Sequence, residues 1–139
     1  MYLFDTTYII DLLSDDQGAL EKAKEIDSIP AFKAISVITV QEYLRGIYYL
    51  FGKDKNLLKS KLKEAEKDLS HFEVLQVDYL TVKIAAEIDA NLLRNGTPLS
   101  LPDVLIAASA LQYSLTLITR NKNDFDKIAE ISDLIFELY

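Results

Sequence analysis

Cysteine is absent, which excludes disulfides, thiolate zinc sites, iron–sulfur clusters and cysteine nucleophiles together. Histidine occurs once, as His71, at a helix-to-strand junction that reads as surface. A histidine-based catalytic pair or a multi-histidine metal site is therefore excluded, and any catalysis must rest on carboxylates, hydroxyls, lysine or tyrosine. Glycine (4) and proline (3) are scarce, half the residues are apolar and 27% are charged, which excludes disordered and low-complexity classes. No apolar run approaches the roughly 18 residues of a membrane span, and the first basic residue is Lys22, so neither a membrane helix nor a signal peptide is expected. The expected location is cytoplasmic. A net charge of −7 argues against broad, non-specific duplex binding, while leaving room for nucleic acid handled at a local site. The length of 139 residues suits one domain, 1–139.

Along the chain, short apolar runs alternate with helical patterns. Residues 2–5 read as a strand ending in Asp5, after which Thr6 or Thr7 can cap a helix to about Ser14. A second helix spans about 19–27. Residues 34–38 read as a buried β-branched strand, and Thr39-Val40-Gln41-Glu42 has capping-box spacing, predicting a helix from there to about Phe51. Gly52 closes it, and residues 54–70 form another helix, giving a helical hairpin at about 40–70. Strand 72–77 precedes a helix capped by Asp78 and closed by Gly96. Ser100-Leu101-Pro102-Asp103 starts a helix to Tyr113, then come strand 115–119, a short helix after Asp124, and a last strand at 134–138. This order predicts an α/β chain, a three-layer α/β/α sandwich around a mostly parallel sheet.

In such a fold ligands bind beyond the carboxyl ends of the strands, where the acids Asp5, Glu42 and Asp124 fall; Asp103 joins them if residues 96–101 return the chain to that edge. Acids converging without histidine or arginine to neutralise them call for a hard divalent cation, Mg²⁺ or Mn²⁺. Such a site suits phosphodiester hydrolysis and needs no protein nucleophile. Simpler readings exist. Glu42 and Asp103 each fall at N3 of a capping box, where the helix dipole alone favours an acid, and Asp124 can cap its helix. Asp5, directly after Tyr2-Leu3-Phe4, has no comparable structural explanation. Tyr43, Tyr48, Tyr49 and Phe51 share one helix and read as core and interface rather than a base-stacking platform. The six lysines of 53–67 read as a solvated face, with guidance of RNA as the alternative.

Four segments, Leu3-Phe4-Asp5-Thr6-Thr7-Tyr8, Thr39-Val40-Gln41-Glu42-Tyr43-Leu44-Arg45-Gly46, Leu101-Pro102-Asp103-Val104-Leu105-Ile106-Ala107-Ala108 and Ile118-Thr119-Arg120-Asn121-Lys122-Asn123-Asp124-Phe125, occur in an order and spacing that resembles the PIN-domain family, and within it the VapC-like toxins of toxin–antitoxin pairs. The resemblance spans essentially the whole chain. It implies a Mg²⁺- or Mn²⁺-dependent endoribonuclease leaving 5′-phosphate and 3′-hydroxyl ends. It implies an acidic quartet of Asp5, Glu42, Asp103 and Asp124, with Asp5, Asp103 and Asp124 on the metal and Thr6, Thr119 and Asn121 in support. Many family members place an acid directly after the Thr-Arg pair, where this chain has Asn121, so Asn121, Asp124 or both complete the site. An RNA substrate, a homodimer and a cognate antitoxin, its tail packed near the 40–70 hairpin, are also implied. Other readings are a non-catalytic PIN-like binding module and a processing nuclease outside a toxin–antitoxin system. Receiver-type and haloacid-dehalogenase-type chemistry would need residues that are missing, among them a second acid in Asp5-Thr6-Thr7.

Overall fold

Leu3 and Phe4 are adjacent in strand β1 (Tyr2–Phe4), so they point to opposite faces, and both are buried. The same holds for Ala34 and Ile35 in β2 (Lys33–Ser36) and for Leu117 and Ile118 in β4 (Thr116–Thr119). A sheet apolar on both faces requires a layer of helices on each. The computed structural model, which describes residues 1–139, has that arrangement. With β3 (Glu73–Leu75) and β5 (Phe136–Leu138) the sheet has five strands in the order β3-β2-β1-β4-β5, all parallel.

Seven helices complete the sandwich: α1 (Thr6–Leu13), α2 (Gln17–Asp27), α3 (Val37–Phe51), α4 (Lys55–Leu69), α5 (Tyr79–Arg94), α6 (Leu101–Gln112) and α7 (Lys122–Ala129). Leu3, Ala34 and Leu117 share one core with Ile88, Leu92, Ile106, Phe125 and Ile128, from α5, α6 and α7. Phe4, Ile35 and Ile118 share the other with Tyr8, Ile9, Ala19, Ile26 and Leu69, from α1, α2 and α4. Phe4 stacks on Tyr8 at 4.7 Å between ring centroids and meets Phe72 edge-on at 5.5 Å. No helix is long and apolar enough to cross a membrane.

The expected three layers and parallel sheet are present; several boundaries differ. The strand expected at 34–38 ends at Ser36, whose Oγ accepts the Ile38 amide at 3.1 Å and caps α3. Val37 and Ile38 look like strand because they are β-branched, yet they form the first helical turn, where Ile38 packs on the core. Glu42 therefore lies well beyond N3, and the capping-box explanation for it fails. Likewise Asp5, not a threonine, is the N-cap of α1, accepting the Thr6 amide at 2.8 Å. The 72–77 strand is shorter than expected because it is the sheet edge, with only Glu73–Leu75 paired.

The hairpin of α3 and α4 turns at Gly52, where an added Cβ would stand 2.4 Å from the Tyr48 carbonyl oxygen. Gly96, at φ 72°, ends α5 in the left-handed conformation open to glycine. Four of the aromatics expected to pack are split by the fold: Tyr43 and Phe51 are half-buried, while Tyr48 is 54% and Tyr49 88% exposed. His71 is exposed, as expected.

Candidate active site

The chain runs outward from β1 to β3 on one side of the sheet and then restarts at β4 on the other side of β1. The crevice beyond the carboxyl ends of β1 and β4 is therefore the place where the strand order reverses, the usual ligand position in open α/β sheets. Asp5 follows β1 there. Its amide donates to the Ile118 carbonyl at 2.9 Å, extending the ladder by one residue and fixing the backbone. The side chain is 4% exposed. Its Oδ2 accepts the Thr119 hydroxyl at 2.7 Å and the Thr7 hydroxyl at 3.1 Å, so Thr119 and Asp5 clasp β4 to β1 at the crevice floor.

Thr6, the first residue of α1, donates from Oγ1 to Glu42 Oε1 at 2.7 Å and lies 3.0 Å from Thr39 Oγ1. With its single proton committed to Glu42, Thr6 accepts from Thr39. Thr39 thereby fixes Thr6, and Thr6 orients Glu42. Thr39, fully buried, escaped the sequence reading because the capping-box spacing made it a helix cap; its signal was a hydroxyl three residues before an acid on the same helical face.

Asp103 stands in the first turn of α6, and the 96–101 segment returns α6 to the acidic edge as the sequence argument required. Burial pushes its carboxyl above the ordinary value; Ser100 opposes this, and the charges of Asp5, Asp124 and Glu42 push it further up. Asp103 thus senses all three other acids. Asp5 is also raised, mainly by burial, against the lowering effect of its hydrogen bonds from Thr119, Thr6 and Thr7, with Glu42 adding a smaller upward push. Ser100 occupies the N-cap position of α6 without donating or accepting a capping bond there.

Asn121 and Asp124 form a reciprocal pair at the start of α7. Asn121 Oδ1 accepts the Asp124 amide at 3.3 Å, and its Nδ2 donates to Asp124 Oδ2 at 2.8 Å. Thr119 Oγ1 accepts the Asn121 amide at 3.1 Å. Asn121, rather than Asp124, is the cap, and it holds Asp124 facing the crevice side where Asp103 registers its charge.

None of the four acids is paired with a lysine, arginine or histidine; every salt bridge of the protein lies elsewhere. Arg120, next to the site, is turned to Asp11 at 3.3 Å and Asp16 at 2.8 Å, with its guanidinium 4.5 Å from the Tyr139 ring. Tyr139 donates from its hydroxyl to Asp11 Oδ2 at 2.7 Å, so this cluster pins the last residue beside α1. Between them Thr7, Ile10, Asp11, Arg120 and Asn121 line an open concavity of about 350 Å³ at the mouth of the crevice. A larger cavity of about 650 Å³ opens at the opposite edge of the sheet, between α5 and the starts of β4 and β5; its only charged lining residues are Glu87 and Asp133, so size does not mark the chemistry.

Four unneutralised carboxylates with hard oxygen donors suit Mg²⁺ or Mn²⁺. No three of them close tightly enough to enclose an ion with protein atoms alone. That fits a cation which keeps several waters and takes the rest of its shell from substrate phosphate oxygens.

Comparison with known proteins supplies the family. Residues 2–131 match the PIN domain. The chain belongs to the PIN-domain family. It is 35% identical over 92 residues to Toxin FitB of Neisseria gonorrhoeae, a match covering 66% of each chain. It is 33% identical over 97 residues to the tRNA(fMet)-specific endonuclease VapC of Salmonella typhimurium, covering 70% of each. Among solved structures it is similar to VapBC2 from Rickettsia felis bound to a promoter DNA fragment, with a TM-score of 0.80, 25% identity and coverage of 99% of this chain and 98% of that one.

Proposed function

We propose that this PIN-domain protein is a metal-dependent endoribonuclease and the toxin of a toxin–antitoxin pair, acting on RNA in the cytoplasm. The observation that carries the reading is the convergence of four acids, without any basic partner, at the strand-order reversal. The names of its relatives supply the substrate class and the toxin assignment. Asp5, Asp103 and Asp124 would hold Mg²⁺ or Mn²⁺, in part through its waters, Asp124 with Asn121 locked against it. A divalent cation bound there lowers the pKa of water and stabilises charge gathering on the phosphoryl oxygens.

The chain's own residues do the positioning. Asp5 is held by three donors and cannot rotate away from the crevice. Glu42, whose Oε1 is occupied by Thr6, has its other oxygen free to orient an attacking water or take its proton. A cation held there would offset the charges of Asp5, Asp124 and Glu42 that push the Asp103 carboxyl up, and so would favour its ionised form.

Thr6→Val tests the orienting role. It removes the donor to Glu42 while keeping the side-chain volume, and we expect the cleavage rate to fall about tenfold at unchanged fold. A rate equal to the parent's would remove Thr6 from the site. The proposed activity itself is tested by incubating the purified protein with a mixed pool of structured RNA in Mg²⁺, Mn²⁺ or EDTA and mapping product ends. Scission with 5′-phosphate and 3′-hydroxyl ends in either metal, and none in EDTA, is expected; cleavage in EDTA would overturn the metal-dependent reading.

The complexes formed by structural relatives support a cognate antitoxin, and the exposed apolar residues of α5, Tyr79, Leu80, Val82 and Leu93, support a homodimer. A sedimentation mass equal to the monomer's at micromolar concentration would contradict the dimer.

A further inference from the structure

Glu42, Arg45 and Tyr49 follow one another at i, i+3 and i+7 on α3, so they lie along one face of the helix, leading away from the acidic crevice. Tyr49 is about 10 Å beyond Glu42 along the axis. Between them Gly46 leaves open space, since an added Cβ would meet nothing within 4 Å. Arg45 is exposed and has no acidic partner. Tyr49 presents nearly its whole ring to solvent.

The track continues past the helix end. Residues 53–63 carry five lysines against the single acid Asp54, in a chain whose net charge is −7. Asp54 is occupied in capping α4 through the Leu57 amide. Lys61 lies over the Phe51 ring and is paired with Glu64, but Lys53, Lys55, Lys59 and Lys63 are exposed with no carboxylate within reach. Arg45 and the exposed Tyr49 ring on the helix that carries Glu42, with unpaired lysines on the helix packed against it, are complementary to a polyanion with stackable faces.

We infer that the Arg45–Tyr49 face of α3 and the lysine-rich start of α4 form a docking track for the single-stranded flank of the RNA substrate, with a base stacked on Tyr49 and backbone phosphates on Arg45, Lys59 and Lys63. This rests on the ribonuclease reading and extends it. The acidic crevice repels RNA in the absence of a cation, so a basic track outside it gives the substrate a foothold from which the scissile bond is presented. The exposed Tyr48 and Leu50 on the adjoining face are the feature that a protein partner would use instead; the unpaired lysines, and Arg45 and Tyr49 on the face of α3 that carries Glu42, favour RNA.

The test measures binding apart from cleavage. In a background silenced by Asp5→Asn and Asp103→Asn, a short labelled single strand is titrated in Mg²⁺ by fluorescence anisotropy. Tyr49→Ala is expected to weaken binding about tenfold and Tyr49→Phe to retain it. Lys59→Glu with Lys63→Glu is expected to shrink the slope of log affinity on log salt by about 1.4. Unchanged affinity and slope in these variants, or no binding by the silenced parent, would overturn the track. So would a changed sedimentation mass with RNA affinity unaltered, which would assign the face to an interface between copies. If the silenced chain binds through the track while the unsubstituted protein cleaves no RNA, the nuclease reading fails and the track stands; if cleavage occurs and the variants bind as before, the track alone fails.

Discussion

Metal-free Asp5→Asn is expected to melt several degrees higher than the unsubstituted protein at neutral pH, and to lose the further rise that Mg²⁺ or Mn²⁺ gives the parent. The carboxyl of Asp5 lies above its ordinary value of 3.8 because burial penalises its charge more than three hydrogen bonds compensate. A carboxyl raised in the folded state binds its proton more readily there than in the unfolded chain. The stability it contributes is complete below the unfolded value and is lost as pH rises through the folded one. Asp103 follows the same sign. Ionising either carboxyl in the fold carries this burial cost, and an uncharged amide of the same size at position 5 avoids it. In acid the parent and the variant should converge. A bound cation acts oppositely, stabilising only the folded state and only when the carboxylates are present. Differential scanning fluorimetry across pH, with and without metal, reads all of this. A variant that melts lower at neutral pH without metal would mean that Asp5 serves first as the cap of α1.

The second large effect lies one residue earlier. Phe4→Ala should destabilise the protein by about 3–5 kcal/mol, as deletion of a buried aromatic from a close-packed core does. Phe4 is 1% exposed, stacks on Tyr8, meets Phe72 edge-on and packs with Ile35 and Ile118 in the same core. Its neighbours belong to a helix, two strands and the connection to β3, so no single one can move in to fill the space. A midpoint shift in urea denaturation at unchanged slope gives the magnitude. A loss below about 1 kcal/mol would mean that this core collapses freely around the gap, against the packing described. Because Phe4 precedes Asp5 in the same strand, the variant also probes whether the crevice floor depends on that core: cleavage should fall even at temperatures where the variant remains folded.

The layers of the fold were readable because paired apolar residues such as Leu3-Phe4 and Leu117-Ile118 can be buried only in a sheet covered on both sides. The sheet order follows from crossover connections, about which residue patterns say little. The start of α3 is not legible in the sequence because Val37 and Ile38 have strand preferences that the Ser36 cap overrides, which is also why Glu42 reads there as a capping acid. Asp5, Glu42, Asp103 and Asp124 were legible as acids at one edge, since three of them follow or closely adjoin strand ends. Their support was less so. Thr39 acts through space on Thr6, thirty-three positions away in sequence, and the Asn121–Asp124 pair depends on a cap geometry that the residue types alone leave open between the two. Exposure of Tyr48 and Tyr49 was not legible either, because an aromatic run on an amphipathic helix reads as core until the partner helix is placed.

The central claim is that Asp5, Asp103 and Asp124 hold the cation with which RNA is cleaved, while Glu42 orients the water beside it. The most direct measurement sets a folded Asp5→Asn, Asp103→Asn double variant beside the unsubstituted protein, on an RNA that the latter cuts, at saturating Mn²⁺. The account predicts scission at defined positions by the parent and none by the variant, with both melting cooperatively. Cutting by the variant at the same positions and a similar rate would place the chemistry elsewhere and contradict it.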